Sequence, residues 1–250
     1  MRMKLIFMFF IALALAAPVF GADERPADLA DSWIVVVKDG HDEEFEKAFT
    51  DHLKHRARKK DPRVWKTYAP IVGDDLNFYV VRFCCTTYAG MDDYRAWSQK
   101  NKMNDHWNEN VDPHVADYKH YFARIDFKNG NWPEDDSEYK LFGVTSFDSK
   151  NGRAAAIEKS KTELSEAAKS GGWSRHWSWS NSVGGDGGLN LVTPFKDYAG
   201  LQGPEGGFSG FLAKHVGEAK AGEMLSGFSE NFHGSTYTIY RLIDEMSMSE

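Results

Sequence analysis

The chain has 250 residues, 42% hydrophobic and 27% charged, the composition of a folded globular protein rather than a disordered one. Its formal charge is -7. An acidic surface repels phosphate backbones, so nucleic acid is not an expected partner. Aromatic residues reach 14%, with 8 Trp, 10 Tyr and 17 Phe; such side chains fill cores and also line apolar ligand pockets.

The N-terminus reads as a secretory signal peptide. Arg2 and Lys4 precede an apolar run from Leu5 to Ala17, and Val19 and Gly21 stand where small residues precede a cut after Gly21. The run is shorter than the about 20 residues that a spanning helix needs. Residues 1–21 are therefore expected to be removed, leaving a periplasmic or secreted chain with no membrane partner after cleavage. The two cysteines, Cys84 and Cys85, are adjacent. On a strand they point to opposite faces, so they read as two small buried side chains rather than a disulfide framework.

In chain order, Trp33–Val37 has the β-branched content of a strand, and Asp42 opens a helix with Phe45, Ala48, Phe49, Leu53 and Ala57 on one face. Asp61-Pro62 stops it. Arg63–Val72 and Leu76–Thr86 read as a hairpin around Gly73-Asp74-Asp75. A second helical stretch starts near Tyr88, is interrupted by the polar segment Asn101–Asp112, and gives way to a strand over Tyr118–Phe127. The order then returns: strand Tyr139–Phe147, helix Arg153–Lys169, strands Trp173–Val183 and Leu189–Phe195, a helical region broken by Gly203–Gly210 and resuming over Phe211–Glu230, and strand Ser235–Ile243.

Local matches support a duplication. Arg63-Val64-Trp65 recurs as Arg175-His176-Trp177, Gly73-Asp74 as Gly185-Asp186, Leu76-Asn77 as Leu189-Asn190, and Tyr88-Ala89-Gly90-Met91 as Tyr198-Ala199-Gly200-Leu201. Arg124-Ile125-Asp126 resembles Arg241-Leu242-Ile243-Asp244. All five occur in one order, at offsets of roughly 110 to 117 residues. The expected organisation is a ferredoxin-like repeat over 32–128, a linker over 129–137 and a second repeat over 138–245. The fold class is α+β, as two βαββαβ units with antiparallel sheets. One unit alone would expose a sheet face and two strand edges, and pairing two units closes both. This order and duplication resemble the dimeric α+β barrel superfamily, which includes NIPSNAP-like, EthD-like and antibiotic-biosynthesis-monooxygenase-like proteins. The resemblance implies a single-chain barrel whose pseudo-dimer is internal; no motif carries over a catalytic residue.

Strand periodicity places Arg63 and Trp65 on one face, and Arg175, Trp177 and Trp179 on the matching face of the second copy. The last strands add His120 and Arg124, and equivalently Tyr237 and Arg241, while Arg82 has no counterpart. If these faces line the barrel, guanidinium groups over an aromatic wall would suit a small aromatic or apolar anion. The alternative is structural: Trp as core and Arg as a salt-bridge partner or reaching to water. A cofactor-independent oxygenase, isomerase or lyase would suit the same barrel, and so would a packed structural protein. A haem-binding barrel would need one inward histidine, with His120 as the candidate. His52, bordering the apolar face, and His55, facing solvent, are three apart on a helix but lack a third ligand, so they read as two surface histidines and no metal is expected. The glycine-rich tracts Gly184–Gly188 and Gly203–Gly210 carry neither phosphate-loop nor dinucleotide spacing.

Overall fold

A computed structural model describes residues 26–185 and 188–249; the expected leader lies outside them, as do Asp186 and Gly187 of the second hairpin. The first repeat runs β1 (Leu29–Val37), α1 (Asp42–Arg58), β2 (Lys66–Val72), β3 (Tyr79–Thr86), α2 (Tyr88–Lys100), α3 (Met103–Asn110) and β4 (Val115–Asn131). The second runs β5 (Leu141–Ser149), α4 (Ala154–Ser170), β6 (Trp177–Val183), β7 (Leu189–Phe195), α5 (Gly207–Val216), α6 (Glu218–Ser229) and β8 (Phe232–Leu242).

The α1 helix shows why the elements form where they do. Asp42, Glu43 and Glu44 occupy its first turn and His55, Arg56 and Arg58 its last, complementing the helix dipole at both ends. Phe45, Phe49, His52 and Leu53 form its buried stripe. The single helix expected over Phe211–Glu230 is two, because Gly217 between them takes φ +87°, outside the helical range. Strand β4 is longer than its apolar pattern and runs to Asn131, where it pairs with Trp177. Residues Arg63–Trp65 and Trp173–His176 precede their strands rather than belonging to them. Cys84 and Cys85, expected as two separate side chains, are bonded to each other.

Each repeat forms a four-stranded antiparallel sheet, β4-β1-β3-β2 and β6-β7-β5-β8. Two seams join them. In one, β2 pairs with β8, with Tyr68 opposite Leu242 and Pro70 opposite Tyr240. In the other, β4 pairs with β6, with Ile125 opposite Ser180. All four sheet edges are thereby used, and the eight strands close into a barrel.

The helices cover the outside. Val35, Val37, Trp65 and Val81 pack with Phe45, Phe49 and Leu53 of α1. Trp177, Trp179 and Leu189 pack with α4, α5 and α6 through Leu164, Leu212 and Phe228. Alternation along the strands turns the intervening residues to the interior.

His52 is fully buried in the first helical layer, although its spacing suggested a surface histidine. Arg56 Nε donates to its Nε2 at 2.9 Å, and its Nδ1 meets His106 Nδ1 at 3.0 Å. Because Nε2 accepts, the proton of the neutral ring sits on Nδ1 and is donated to His106. Burial, then the nearby Arg56, His106 and His55, lowers the pKa of His52 to about 2. The unfolded chain takes up this proton near pH 6.5 and the folded chain does not. Stability is therefore complete above that pH and declines below it, by about 1.4 kcal/mol per pH unit. Urea unfolding at pH 7.5 and pH 5 should show a loss of about 2 kcal/mol from this residue alone. His52→Gln should lose correspondingly less; equal losses in the two proteins would contradict the assignment.

Candidate functional site

The residues singled out in the sequence share faces as expected, but the shared face is the outer one. Trp65, Trp177 and Trp179 are sandwiched between sheet and helices. Trp65 Nε1 donates to Tyr94 of α2 at 3.1 Å, Trp177 Nε1 to the Asn129 carbonyl at 2.7 Å, and Trp179 Nε1 to Ser165 Oγ of α4 at 3.0 Å. Arg63 and Arg175 precede their strands on the same side. Arg124, Tyr237 and Arg241 are also on the outer face: Arg124 is 3.6 Å from Asp28, and Tyr237 stands opposite Thr145. Arg241 borders a cleft of about 520 Å3 with Glu46, Lys47 and Asp51 of α1. The expectation that these faces line the barrel is therefore corrected: apolar alternation marks a buried face, and here the helices bury it. Among the ten candidates only Arg82 points inward.

The outer face of the first repeat gathers Arg63 and His120 around a residue that the sequence reading passed over, Asp31. Arg63 Nη1 donates to Asp31 Oδ2 at 2.6 Å. His120 Nε2 meets Asp31 Oδ1 at 2.8 Å. Both Asp31 and Arg63 are buried at 3% exposure, so the ion pair is shielded from water. The Arg63 guanidinium lies 3.6 Å from the Tyr94 ring centroid, 4.9 Å from Phe83 and 5.6 Å from Trp65, an aromatic enclosure that suits a delocalised cation. Tyr94 is itself fixed: Arg56 Nη1 donates to its hydroxyl at 2.6 Å and it reaches Asp61 at 3.1 Å. Burial pushes its phenol up to about 12. His120 is the open end of the chain, with 34% of its side chain exposed and its ring stacked on Trp33 at 3.9 Å.

The second repeat lacks this chemistry at the equivalent place. Leu29 faces Arg124 as Leu141 faces Arg241, which sets Asp31 against Gly143 and His120 against Tyr237. The Tyr237 hydroxyl lies over Gly143, in space that a Cβ there would occupy. Arg175, the partner of Arg63 in the duplication, donates instead to the carbonyls of Gly200 and Leu201, both at 3.1 Å. Where the first repeat has a charged network, the second has a tyrosine–glycine contact and an arginine clamped to a loop.

The barrel interior holds a different set. Tyr68, Arg82 and Tyr121 face inward from β2, β3 and β4, with Phe142 and Tyr240 from the second repeat. Phe142 meets Tyr68 edge-on at 5.3 Å, and Trp132 of the linker stacks over Phe142 at 6.2 Å. Burial lowers the Arg82 pKa, and the groups acting against that are the phenols of Tyr68 and Tyr121. Among the described residues no carboxylate pairs with Arg82. The second repeat contributes hydroxyls and an amide: Ser146 donates to Asn190 at 2.7 Å, and Asn190 to Ser182 at 3.3 Å. Among the described residues no three His, Cys, Asp or Glu side chains converge as a metal site.

This closed barrel of two ferredoxin-like halves defines the class: the chain has the dimeric α+β barrel fold, with both halves on one polypeptide. It is similar to a protein from Fusobacterium nucleatum assigned as a candidate monooxygenase, with a TM-score of 0.57, 8% identity and coverage of 89% of this chain and 94% of that one. A counterpart from Lactobacillus acidophilus NCFM gives 0.53 at 8% identity, covering 88% and 97%. A mutant chlorite dismutase from Candidatus Nitrospira defluvii gives 0.52 at 8%, covering 89% and 94%. At these identities the likeness is one of fold. No family model matches the sequence, and no curated protein matches it.

The two repeated arginines should respond differently to truncation. Arg63→Ala strands a buried carboxylate and should cost about 3–5 kcal/mol in urea unfolding. Arg175→Ala removes hydrogen bonds to two partly exposed carbonyls and should cost about 1 kcal/mol. Equal losses would show that the Asp31 pair carries no special weight.

Proposed function

We propose that the protein binds a small aromatic or apolar anion in the barrel interior, between the two repeats, with Arg82 as its counter-charge. The observation that carries this reading is the state of Arg82: an inward guanidinium without a carboxylate partner among the described residues. A half-buried inward guanidinium with no carboxylate beside it is open to an anionic partner, and a ligand carboxylate or phenolate would supply one. Tyr68, Tyr121, Tyr240 and Phe142 around it offer ring faces to an aromatic body and phenol hydroxyls to its polar atoms. The secretory leader read over residues 1–21 assigns the protein to the periplasm or the exterior. Its partner is then a small molecule met there, and the pseudo-dimer is internal to the chain.

An enzymatic reading of the same fold is supported by the relatives assigned as monooxygenases. The haem reading has less support from the residues themselves. Its candidate ligand, His120, has Nε2 committed to Asp31 and a ring face covered by Trp33. These neighbours do not fit an iron bonded through that nitrogen.

Binding of 1-naphthoate, a small aromatic carboxylate, can be followed by calorimetry on the full chain. Arg82→Leu should weaken it by roughly 10- to 150-fold, the worth of one charge-assisted hydrogen bond. Absence of binding by the wild type, or undiminished affinity in Arg82→Leu, would contradict the proposal.

A further inference from the structure

We infer that His120 is the base of a proton-transfer site on the helix side of the first repeat, acting on the acidic C–H of an aromatic carbonyl compound. Both oxygens of Asp31 are engaged, Oδ2 by Arg63 and Oδ1 by His120 Nε2. An ionised carboxylate only accepts, so the hydrogen between Asp31 and His120 belongs to Nε2. The lone pair of the neutral ring is then on Nδ1. Among the described residues Nδ1 makes no hydrogen bond, and the side chain is open to solvent over about a third of its surface.

This arrangement differs from an ordinary salt bridge. The Asp31–Arg63 pair already satisfies its own charge in the buried layer, and the fold does not require a histidine at its mouth: the second repeat has Gly143 and Tyr237 there. Nor is His120 a free surface histidine, since a buried carboxylate fixes its orientation. Beside it, Trp33 stacks on the ring at 3.9 Å while keeping 37% of its own surface exposed. Phe122 meets the His120 ring edge-on at 5.1 Å. An aromatic substrate can lie against this apolar platform with its acidic hydrogen at Nδ1.

The step balances without a further reactant. Nδ1 takes the hydrogen from the carbon next to the carbonyl as a proton, and the C–H electron pair moves into the enolate. The imidazolium then returns a proton to the enolate oxygen or to the carbon, giving tautomerisation or hydrogen exchange. His120 is the catalytic residue; Asp31 and Arg63 are positioning residues. The site lies on the opposite face of the sheet from Arg82, so it stands or falls independently of ligand binding in the interior.

Phenylpyruvate, an aromatic keto acid with an enolisable benzylic CH2, is a suitable probe. Incubated with the full chain in D2O, it should lose its benzylic proton signals in NMR faster than in buffer alone. His120→Gln, a change at an exposed side chain, should reduce the protein-dependent rate by about 100-fold or more. Nitrogen-15 NMR of the wild type should show His120 as the Nε2–H tautomer. Asp31→Asn presents a donor as well as an acceptor, so it should lose that single tautomer and slow exchange. If Asp31→Asn does not fold, the wild-type tautomer and the His120→Gln rate decide. Exchange no faster than buffer, an undiminished rate in His120→Gln, or an Nδ1–H tautomer in the wild type would overturn the inference.

Discussion

Edge-to-edge hydrogen bonding at two seams, β2 with β8 and β4 with β6, sets nearly everything else in this molecule. A lone four-stranded sheet leaves two rows of unpaired backbone groups and one bare face. Joining two such sheets at both edges removes the open rows and turns the bare faces toward each other. The helices are then confined to the outside, and every strand residue is committed either to the helix layer or to the interior. Arg63 lies over the ring of Phe83, the residue next to Arg82, yet this commitment gives the two arginines opposite environments.

The two repeats build the barrel in the same way and differ in the polar groups they carry. The two repeats keep the same core devices, with Trp65 and Trp177 each wedged under helices and Arg124 and Arg241 at matching strand positions. They part at Asp31 and His120, which become Gly143 and Tyr237. A buried Asp–Arg pair needs the aromatic enclosure of Tyr94 and Phe83 to hold its charges out of water, and the first repeat provides it. In the second repeat Trp173, Phe208, Phe211 and Phe228 fill much of the helical layer, and its buried charge, Lys161 of α4, pairs instead with Asp126 and Glu158.

The element order, the duplication and the barrel were legible because each rests on local pattern: β-branched runs, turn residues, and the same short motifs returning in order. Periodicity also placed the right residues on common faces. It could not say which face the helices would cover, because a face buried under helices and one lining a barrel are both apolar. That ambiguity put Arg63, Trp65, Arg175, Trp177 and Trp179 on the wrong side. Asp31 did leave a trace, as a lone carboxylate in a strand otherwise running Leu29-Ala30 to Trp33–Val37. Its partners are distant in sequence, so the relay became visible only when β1 and β4 were paired. His52 was misread for a similar reason: the helix face it borders is closed by His106 of α3, more than fifty residues away.

Amide hydrogen exchange resolved by residue tests the closure most directly. If both seams are paired, the inter-strand amides of β4 with β6 and β2 with β8 should be protected to the same degree as those between β1 and β4. Fast exchange along either seam, at rates of open strand edges, would mean that the two sheets do not close and that no common interior exists.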